Sequence, residues 1–199
     1  DGWREVDLRA TRNRLRLRWA SPLSEDLAGV AVTATAELNQ RQSALRWTLR
    51  VDNRSDTWAV RHAVFPQLAV PELARDGAVL FPRGPGEVQR GLWQRAFTYR
   101  GNYPDGWCAM QFLAAYREGE HPVGIYLGFH DPWGGTKRIE ASSTPSNRVV
   151  RLAFEIPASD FHAPGNDLDL NGEAVWQLLR GDWFDAATIY RAWARQNAR

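Results

Sequence analysis

Apolar and polar residues alternate with a period of two along most of the chain, a pattern typical of β-strands that bury one face. In residues 14–19, Leu15, Leu17 and Trp19 alternate with three arginines, so the arginines are predicted to lie on the solvent side of a strand. They therefore do not indicate a basic patch. Similar patterns predict further strands at residues 30–38, 45–51, 111–116, 123–129, 149–156 and 174–179.

Glycine and proline concentrate between these segments, notably in residues 81–86 and 101–106, which we expect to be loops. Residues 53–56 carry turn-forming Asn, Ser and Asp, so residues 44–65 are predicted to form a hairpin. Many short strands joined by such turns are typical of a sandwich. The sequence thus predicts an all-β, antiparallel β-sandwich over residues 1–180, followed by a C-terminal α-helix.

The helix is predicted by a change of period near the C-terminus. Apolar side chains recur at i, i+3, i+4 and i+7, namely at Ala186, Ile189, Tyr190 and Trp193. Asp182 is placed to act as N-cap, with Asp185 at the third helical position. Because no stop signal follows the stripe, we expect residues 181–199 to be a linker helix that leads toward a further domain.

Three separated segments resemble the N-terminal domain of certain multidomain glycoside hydrolases. They are residues 50–56 with 65–68, residues 124–137, and the Gly-Asp-Trp sequence that opens the C-terminal helix. In those enzymes a galactose-mutarotase-like β-supersandwich precedes a (β/α)8 catalytic barrel, and the relatives include endo-α-N-acetylgalactosaminidase-like enzymes and members of unassigned substrate. The resemblance therefore implies a supersandwich whose catalytic barrel lies outside these 199 residues.

The function implied by this resemblance is that of a non-catalytic accessory domain of a glycoside hydrolase. It would pack on the barrel of the same polypeptide and contribute to carbohydrate binding, with interdomain contacts at Trp183, Ile189, Tyr190 and Trp193. Two alternatives stay open: a free-standing carbohydrate-binding module, and a mutarotase-like epimerase. An exposed apolar stripe on residues 186–193 would favour the accessory domain, whereas a helix packed wholly on its own sheet would favour the module.

The epimerase would need a histidine and a glutamate facing each other in a groove. The candidate histidines are His62, His130 and His162, and the candidate glutamates are Glu72, Glu118 and Glu155.

Ten tryptophans indicate candidate sugar contacts, because an indole combines an apolar face with an N–H donor. Trp107 and Trp133 lie in Gly- and Pro-rich loops and are the candidates for ligand stacking, whereas the other patterns place Trp19 and Trp47 in the core. His130 and Asp131 precede Trp133 in the loop 130–137 and complete the predicted substrate-binding set. The alternative is a structural turn, in which Asp131 caps backbone N–H groups.

Asp167, Asp169 and Asn171 are followed by Gly172, which matches the opening half of a calcium-binding loop. The closing position is Leu178, where a bidentate glutamate is expected. We therefore consider calcium as a candidate ligand, with a polar loop before the last strand as the alternative, and expect no other cofactor.

Composition excludes several other functions. The formal net charge of +2 is too small to indicate nucleic acid, and no apolar run approaches the length of a membrane span. The single cysteine, Cys108, excludes an internal disulfide. No nucleophile elbow, phosphate-binding loop or zinc motif is present, and no carboxylate pair is marked for glycoside hydrolysis. The compartment is not fixed by the sequence, although an extracytoplasmic location is the expectation.

Overall fold

The computed structural model describes residues 2–73, 76–105, 108–144, 146 and 148–197. Within these ranges the chain forms fourteen strands, a short 3-10 turn at Glu25–Leu27 and one α-helix. In chain order these are β1 Trp3–Ala10, β2 Arg14–Pro22, β3 Val30–Asn39, β4 Ala44–Asn53, β5 His62–Pro71, β6 Gly77–Phe81, β7 Glu87–Arg90, β8 Phe97–Tyr103, β9 Phe112–Arg117, β10 Val123–His130, β11 Lys137–Thr144, β12 Val149–Pro157, β13 Leu168–Asp169, β14 Glu173–Arg180 and α1 Trp183–Asn197.

The described strands form two antiparallel sheets. The large sheet has the order β1-β2-β3-β4-β14-β10-β9-β6-β7, with the short β13 pairing beside β4. The small sheet has the order β5-β12-β11-β8. The predicted all-β sandwich with a C-terminal helix is therefore confirmed.

The main core lies where the two sheets face each other. Trp47 of the large sheet is buried there and packs its ring edge-on against Phe65 of the small sheet, with 6.2 Å between the ring centroids. Phe129 and Phe154 make a second contact across the core at 5.9 Å. Burial of apolar area between the sheets is the main stabilising contribution to this fold.

The predicted hairpin over residues 44–65 is wrong. β4 belongs to the large sheet and pairs with β3 and β14, whereas β5 belongs to the small sheet and pairs with β12. The polar residues 53–56 therefore carry the chain from one sheet to the other. Residues 101–103, expected in a loop, form the end of β8, and Lys137 is the first residue of β11.

A capping box starts α1, as the two aspartates predicted. The Asp182 carboxylate accepts a hydrogen bond from the backbone N–H of Phe184 at 2.8 Å, and Asp185 accepts one from the backbone N–H of Asp182 at 3.1 Å. Gly181 precedes the box with φ of +135°, a conformation that L side chains rarely adopt. These interactions fix where the helix begins.

The apolar stripe of α1 packs on the outer face of the large sheet and forms a second core with it. Ala186 is fully buried, and the Tyr190 ring stacks on Phe112 with 5.2 Å between centroids. The stripe is thus covered by the domain's own sheet, and the pattern expected for exposed interdomain contacts on residues 186–193 is not found. No helix among the described residues is long and apolar enough to cross a membrane.

Candidate functional site

A groove runs along one side of α1, between the helix and the outer face of the large sheet. Its volume is about 750 Å³, and we call it the α1 groove. The sheet side includes Arg46, His130, Glu173, Val175 and Gln177; the loops add Gln42, Pro132, Asn171 and Gly172; the helix side consists of Thr188, Ile189, Ala192, Trp193, Gln196 and Asn197. A groove of this size with mixed aromatic and polar walls is the kind of concavity that binds small molecules.

His130 lies at the end of β10, under the helix. Its side chain is only 6% exposed, and its ring stacks on that of Trp193 with 4.5 Å between centroids and 15° between planes. Nε2 hydrogen-bonds the Tyr126 hydroxyl at 2.9 Å, whereas Nδ1 is buried without a hydrogen-bond partner. Such an unpaired buried nitrogen costs about 1–3 kcal/mol.

Burial, assisted by the positive charge of Arg46, lowers the pKa of His130 to about 3. The imidazole is therefore neutral at physiological pH. In a neutral ring one nitrogen donates and the other accepts, so Nδ1 can serve as donor or acceptor according to the tautomer that Tyr126 selects.

Arg46 and Glu173 form the only ion pair in the lining of the groove, counted over the part of the chain that the structure describes. The guanidinium Nη1 lies 2.9 Å from Glu173 Oε2, and its Nη2 donates to Gln42 at 3.1 Å. With His130 neutral, the two charges of the lining cancel. The backbone at Gly172 passes so close to the His130 carbonyl that a Cβ atom there would lie 2.5 Å from the carbonyl oxygen.

Asp131 points away from this groove and into the domain. It is 3% exposed; Oδ1 accepts from the backbone N–H of Trp133 at 2.9 Å and Oδ2 accepts from that of Gly135 at 2.7 Å. The Lys137 ammonium, 1% exposed, donates to Oδ2 at 3.1 Å and to Gln111 Oε1 at 2.9 Å, and it also donates to the Gly135 carbonyl. Burial lowers the pKa of Lys137, against the opposing effect of Asp131.

These bonds fix the shape of the loop 131–136. Asp131 thus has the role given by the alternative prediction, a structural turn in which its carboxylate caps backbone N–H groups. His130 and Asp131 are consecutive at a strand end, so they project to opposite faces, and the structure does not bring them together.

The two tryptophan candidates for sugar contact differ in position. Trp133 is 66% exposed at the tip of the loop after β10, so its indole is accessible to a ligand. It does not line the α1 groove. Trp107 lies outside the described residues.

The four residues predicted to form interdomain contacts also differ in their surroundings. Ile189, Tyr190 and Trp193 face the domain's own sheet, whereas Trp183 is 47% exposed at the first turn of α1. Beside it, Phe184 is 56% exposed and packs edge-on against the Trp183 ring. The exposed aromatic pair Trp183–Phe184 is therefore the part of the helix that is available for contact with another domain.

The predicted calcium ligands lie in and around β13, which pairs with β4 on the edge where β14 also pairs, and Asn171 lines the α1 groove. Arg50 donates to Asp169 at 3.0 Å and to Asp167 at 3.3 Å, and Asp167 also accepts from the backbone N–H of Asn53 at 2.8 Å. The guanidinium thus engages both carboxylates that the calcium hypothesis requires. Among the described residues, no group of three or more His, Cys, Asp or Glu side chains is placed to hold a metal ion.

The residues considered for epimerase chemistry are not paired. Glu72, Glu118 and Glu155 are each ion-paired with an arginine, and no hydrogen bond in the described parts of the chain joins any of them to His62, His130 or His162. Within the described ranges, none of these three glutamates therefore forms the histidine–glutamate pair that epimerisation needs; the glutamate that shares the α1 groove with His130 is Glu173, which is ion-paired with Arg46.

Sequence reasoning missed most of the α1 groove. Arg46, Gln177 and Gln196 come from β4, β14 and α1, and no local pattern relates them. The sequence did contain a signal for the exposure of Phe184. This apolar residue follows Trp183 directly after the N-cap and does not belong to the apolar stripe of the helix.

No protein-family model and no curated protein sequence matches this chain. Among solved structures, the chain is similar over its full length to 31% of an α-N-acetylgalactosaminidase from Bifidobacterium bifidum, with 14% sequence identity and a TM-score of 0.66. For a GH36 α-galactosidase from Geobacillus stearothermophilus, 99% of this chain matches 28% of that chain at 14% identity and a TM-score of 0.59.

A third similar structure is a Synechocystis protein, where 89% of this chain matches 66% of that chain at 11% identity and a TM-score of 0.53. The chain thus spans less than a third of the two glycosidases. At these identities the similarity shows the fold, and it confirms that the fold expected from the resemblance is one that occurs within multidomain glycoside hydrolases.

Proposed function

We propose that this chain is a non-catalytic accessory domain of a glycoside hydrolase, located N-terminal to a (β/α)8 catalytic barrel in the same polypeptide. The observation that carries the proposal is the match of the entire chain to about 30% of enzymes whose names are α-N-acetylgalactosaminidase and α-galactosidase. The remaining length of those enzymes leaves room for a separate catalytic domain. The order of the three resembling segments in this sequence supports the same arrangement.

The chemistry of the described residues agrees with a non-catalytic role. A glycosidase needs two carboxyl groups on either side of one glycosidic bond. The α1 groove contains a single carboxylate, Glu173, and that group is ion-paired with Arg46. The buried Asp131 is held by two backbone N–H groups and an ammonium, so it is not available to a substrate.

The interdomain contact is proposed to centre on the aromatic pair Trp183–Phe184. Aromatic side chains are enriched at protein interfaces because they bury large apolar areas at small entropic cost. In this proposal Ile189, Tyr190 and Trp193 act indirectly, by holding α1 on the sheet so that the exposed pair faces the neighbouring domain.

The test is hydrolysis of a panel of aryl glycosides by this chain alone and by a longer polypeptide that carries it together with a catalytic barrel. We expect turnover only in the longer protein. Replacing Trp183 and Phe184 by serine should leave the isolated chain folded and destabilise the longer protein. Turnover by the isolated chain would refute the proposal.

The second candidate is a free-standing carbohydrate-binding module. It is favoured by the apolar stripe of α1, in which Ala186, Ile189 and Tyr190 pack on the domain's own sheet. The Synechocystis match, in which this fold makes up two thirds of a chain, supports the same candidate. Equal stability of the serine variants in the isolated and longer proteins, together with glycan binding by the isolated chain, would select the module.

A further inference from the structure

We infer that the α1 groove binds one neutral pyranose residue, held between the Trp193 side of α1 and the part of β14 that carries Val175 and Gln177. The choice of a sugar as ligand rests on the carbohydrate context of the proposed function. The position of the site rests on the geometry, and the absence of net charge in its lining rests on the Arg46–Glu173 ion pair together with the neutral His130.

The electrostatics of the groove favour a neutral ligand. Arg46 and Glu173 are the charged residues of its lining, and their side chains are bonded to each other at 2.9 Å. An anion would meet the Glu173 carboxylate, and a cation would meet the Arg46 guanidinium. Either would be repelled by the member of the pair that carries the same charge, which a neutral molecule avoids.

The polar groups of the groove are suited to hydroxyl groups. Five amide side chains line it, contributed by Gln42, Asn171, Gln177, Gln196 and Asn197. An amide offers a donor and an acceptor side by side, and a hydroxyl can also act in both ways. Vicinal hydroxyls of a pyranose can therefore pair with such amides in either sense, whereas an apolar ligand would leave these groups without partners.

Trp193 and His130 supply the remaining features. The half-buried indole of Trp193 lines the groove and is held in place by the stacked imidazole. Indole surfaces are suited to the C–H face of a sugar ring. His130 also lines the groove, and its Nδ1 is the buried nitrogen that lacks a partner. The neutral imidazole adds no charge to the lining, in keeping with a neutral ligand.

The experiment is a titration of the chain with methyl galactoside and methyl glucoside, from millimolar to tens of millimolar concentrations. Binding is monitored in ¹H–¹⁵N spectra of the tryptophan indole N–H groups. The Trp193 signal is identified by its loss in Trp193→Phe. We expect at least one glycoside to shift the Trp193 signal in a saturable manner.

Three variants locate the site. Gln177→Ala and Gln196→Ala each remove one lining amide at a solvent-accessible position, and each is expected to weaken binding about two- to tenfold. Arg195→Ala is the matched control, because it removes an exposed α1 side chain that does not line the groove, and its affinity should equal that of the parent chain.

Two results would overturn the inference. One is the absence of a Trp193 shift with both glycosides. The other is binding that Trp133→Ala abolishes while the two glutamine variants retain it, which would place the ligand at the exposed loop. Neither result bears on the accessory-domain proposal, which depends on the hydrolysis and interdomain-stability measurements described above.

Discussion

Lys137→Met should destabilise the chain more than any ordinary surface substitution. Methionine fills a similar volume, so the change removes the ammonium group with little effect on packing. In the native chain this ammonium donates to Asp131, Gln111 and the Gly135 carbonyl, and it lies among the rings of Tyr103 and Phe129. The variant therefore leaves a buried carboxylate without its counter-charge.

The magnitude follows from the burial of both partners. Removing one member of a buried ion pair costs about 3–5 kcal/mol, because the other charge stays desolvated and unpaired. Asp131 keeps two hydrogen bonds from the backbone N–H groups of Trp133 and Gly135, so we expect a loss near the lower limit, about 3 kcal/mol. A loss of this size is a large part of the total stability of about 5–15 kcal/mol that is usual for a domain.

The assay is urea denaturation, read from tryptophan fluorescence and from circular dichroism. The matched control is Arg100→Met. It removes the exposed ion pair between Arg100 of β8 and Glu140, which lies in β11 together with Lys137, and it should cost no more than about 1 kcal/mol. The double variant Lys137→Met, Asp131→Asn should lose less than the sum of its single changes, since no lone charge remains. A loss below about 1 kcal/mol in Lys137→Met would refute the reasoning.

Three further outcomes are expected. His130 takes up a proton near pH 6.5 when unfolded but only near pH 3 when folded, so between these two pH values its contribution should lower stability by up to about 1.4 kcal/mol for each pH unit of acidification. Urea titrations of His130→Gln should show a flatter acid slope over this range, and equal slopes would contradict this. Asp182→Ala should cost about 1 kcal/mol through loss of the N-cap, measured against Arg195→Ala as a control on the same helix. Because Arg50 already engages Asp167 and Asp169, millimolar calcium should release no heat in a calorimetric titration, and saturable heat would restore calcium as a ligand of this loop.

The strands and the helix start could be predicted because their signals are local. A period of two identifies a half-buried strand wherever the chain lies in the fold, and in β4 buried and exposed residues alternate from Trp47 to Val51. The capping box likewise needs only residues three positions apart. By contrast, β6 was not predicted, because all five of its residues are buried and alternation disappears in such a strand.

The pairing of strands could not be predicted from the same signals. The turn-forming residues between β4 and β5 are equally compatible with a hairpin and with a crossing between sheets. What decides between them is long-range pairing, since β4 pairs with β14 at the far end of the chain. The separation of His130 from Asp131 could not be predicted for a related reason: residue types in the loop 130–137 do not reveal that consecutive residues at the end of β10 project to opposite faces.

The geometry of α1 limits how a neighbouring domain could contact Trp183 and Phe184. Tyr190 and Trp193 are already stacked on Phe112 and His130, so a neighbouring domain gains nothing by contacting the apolar stripe. The exposed aromatic pair lies at the opposite end of the helix from the residues Gln196 and Asn197 that line the α1 groove. A neighbouring domain docked on Trp183 and Phe184 would therefore leave that end of the groove accessible. The two proposals can consequently both be true, and glycoside binding by the longer protein, with the affinity of the isolated chain, is the result expected if they are.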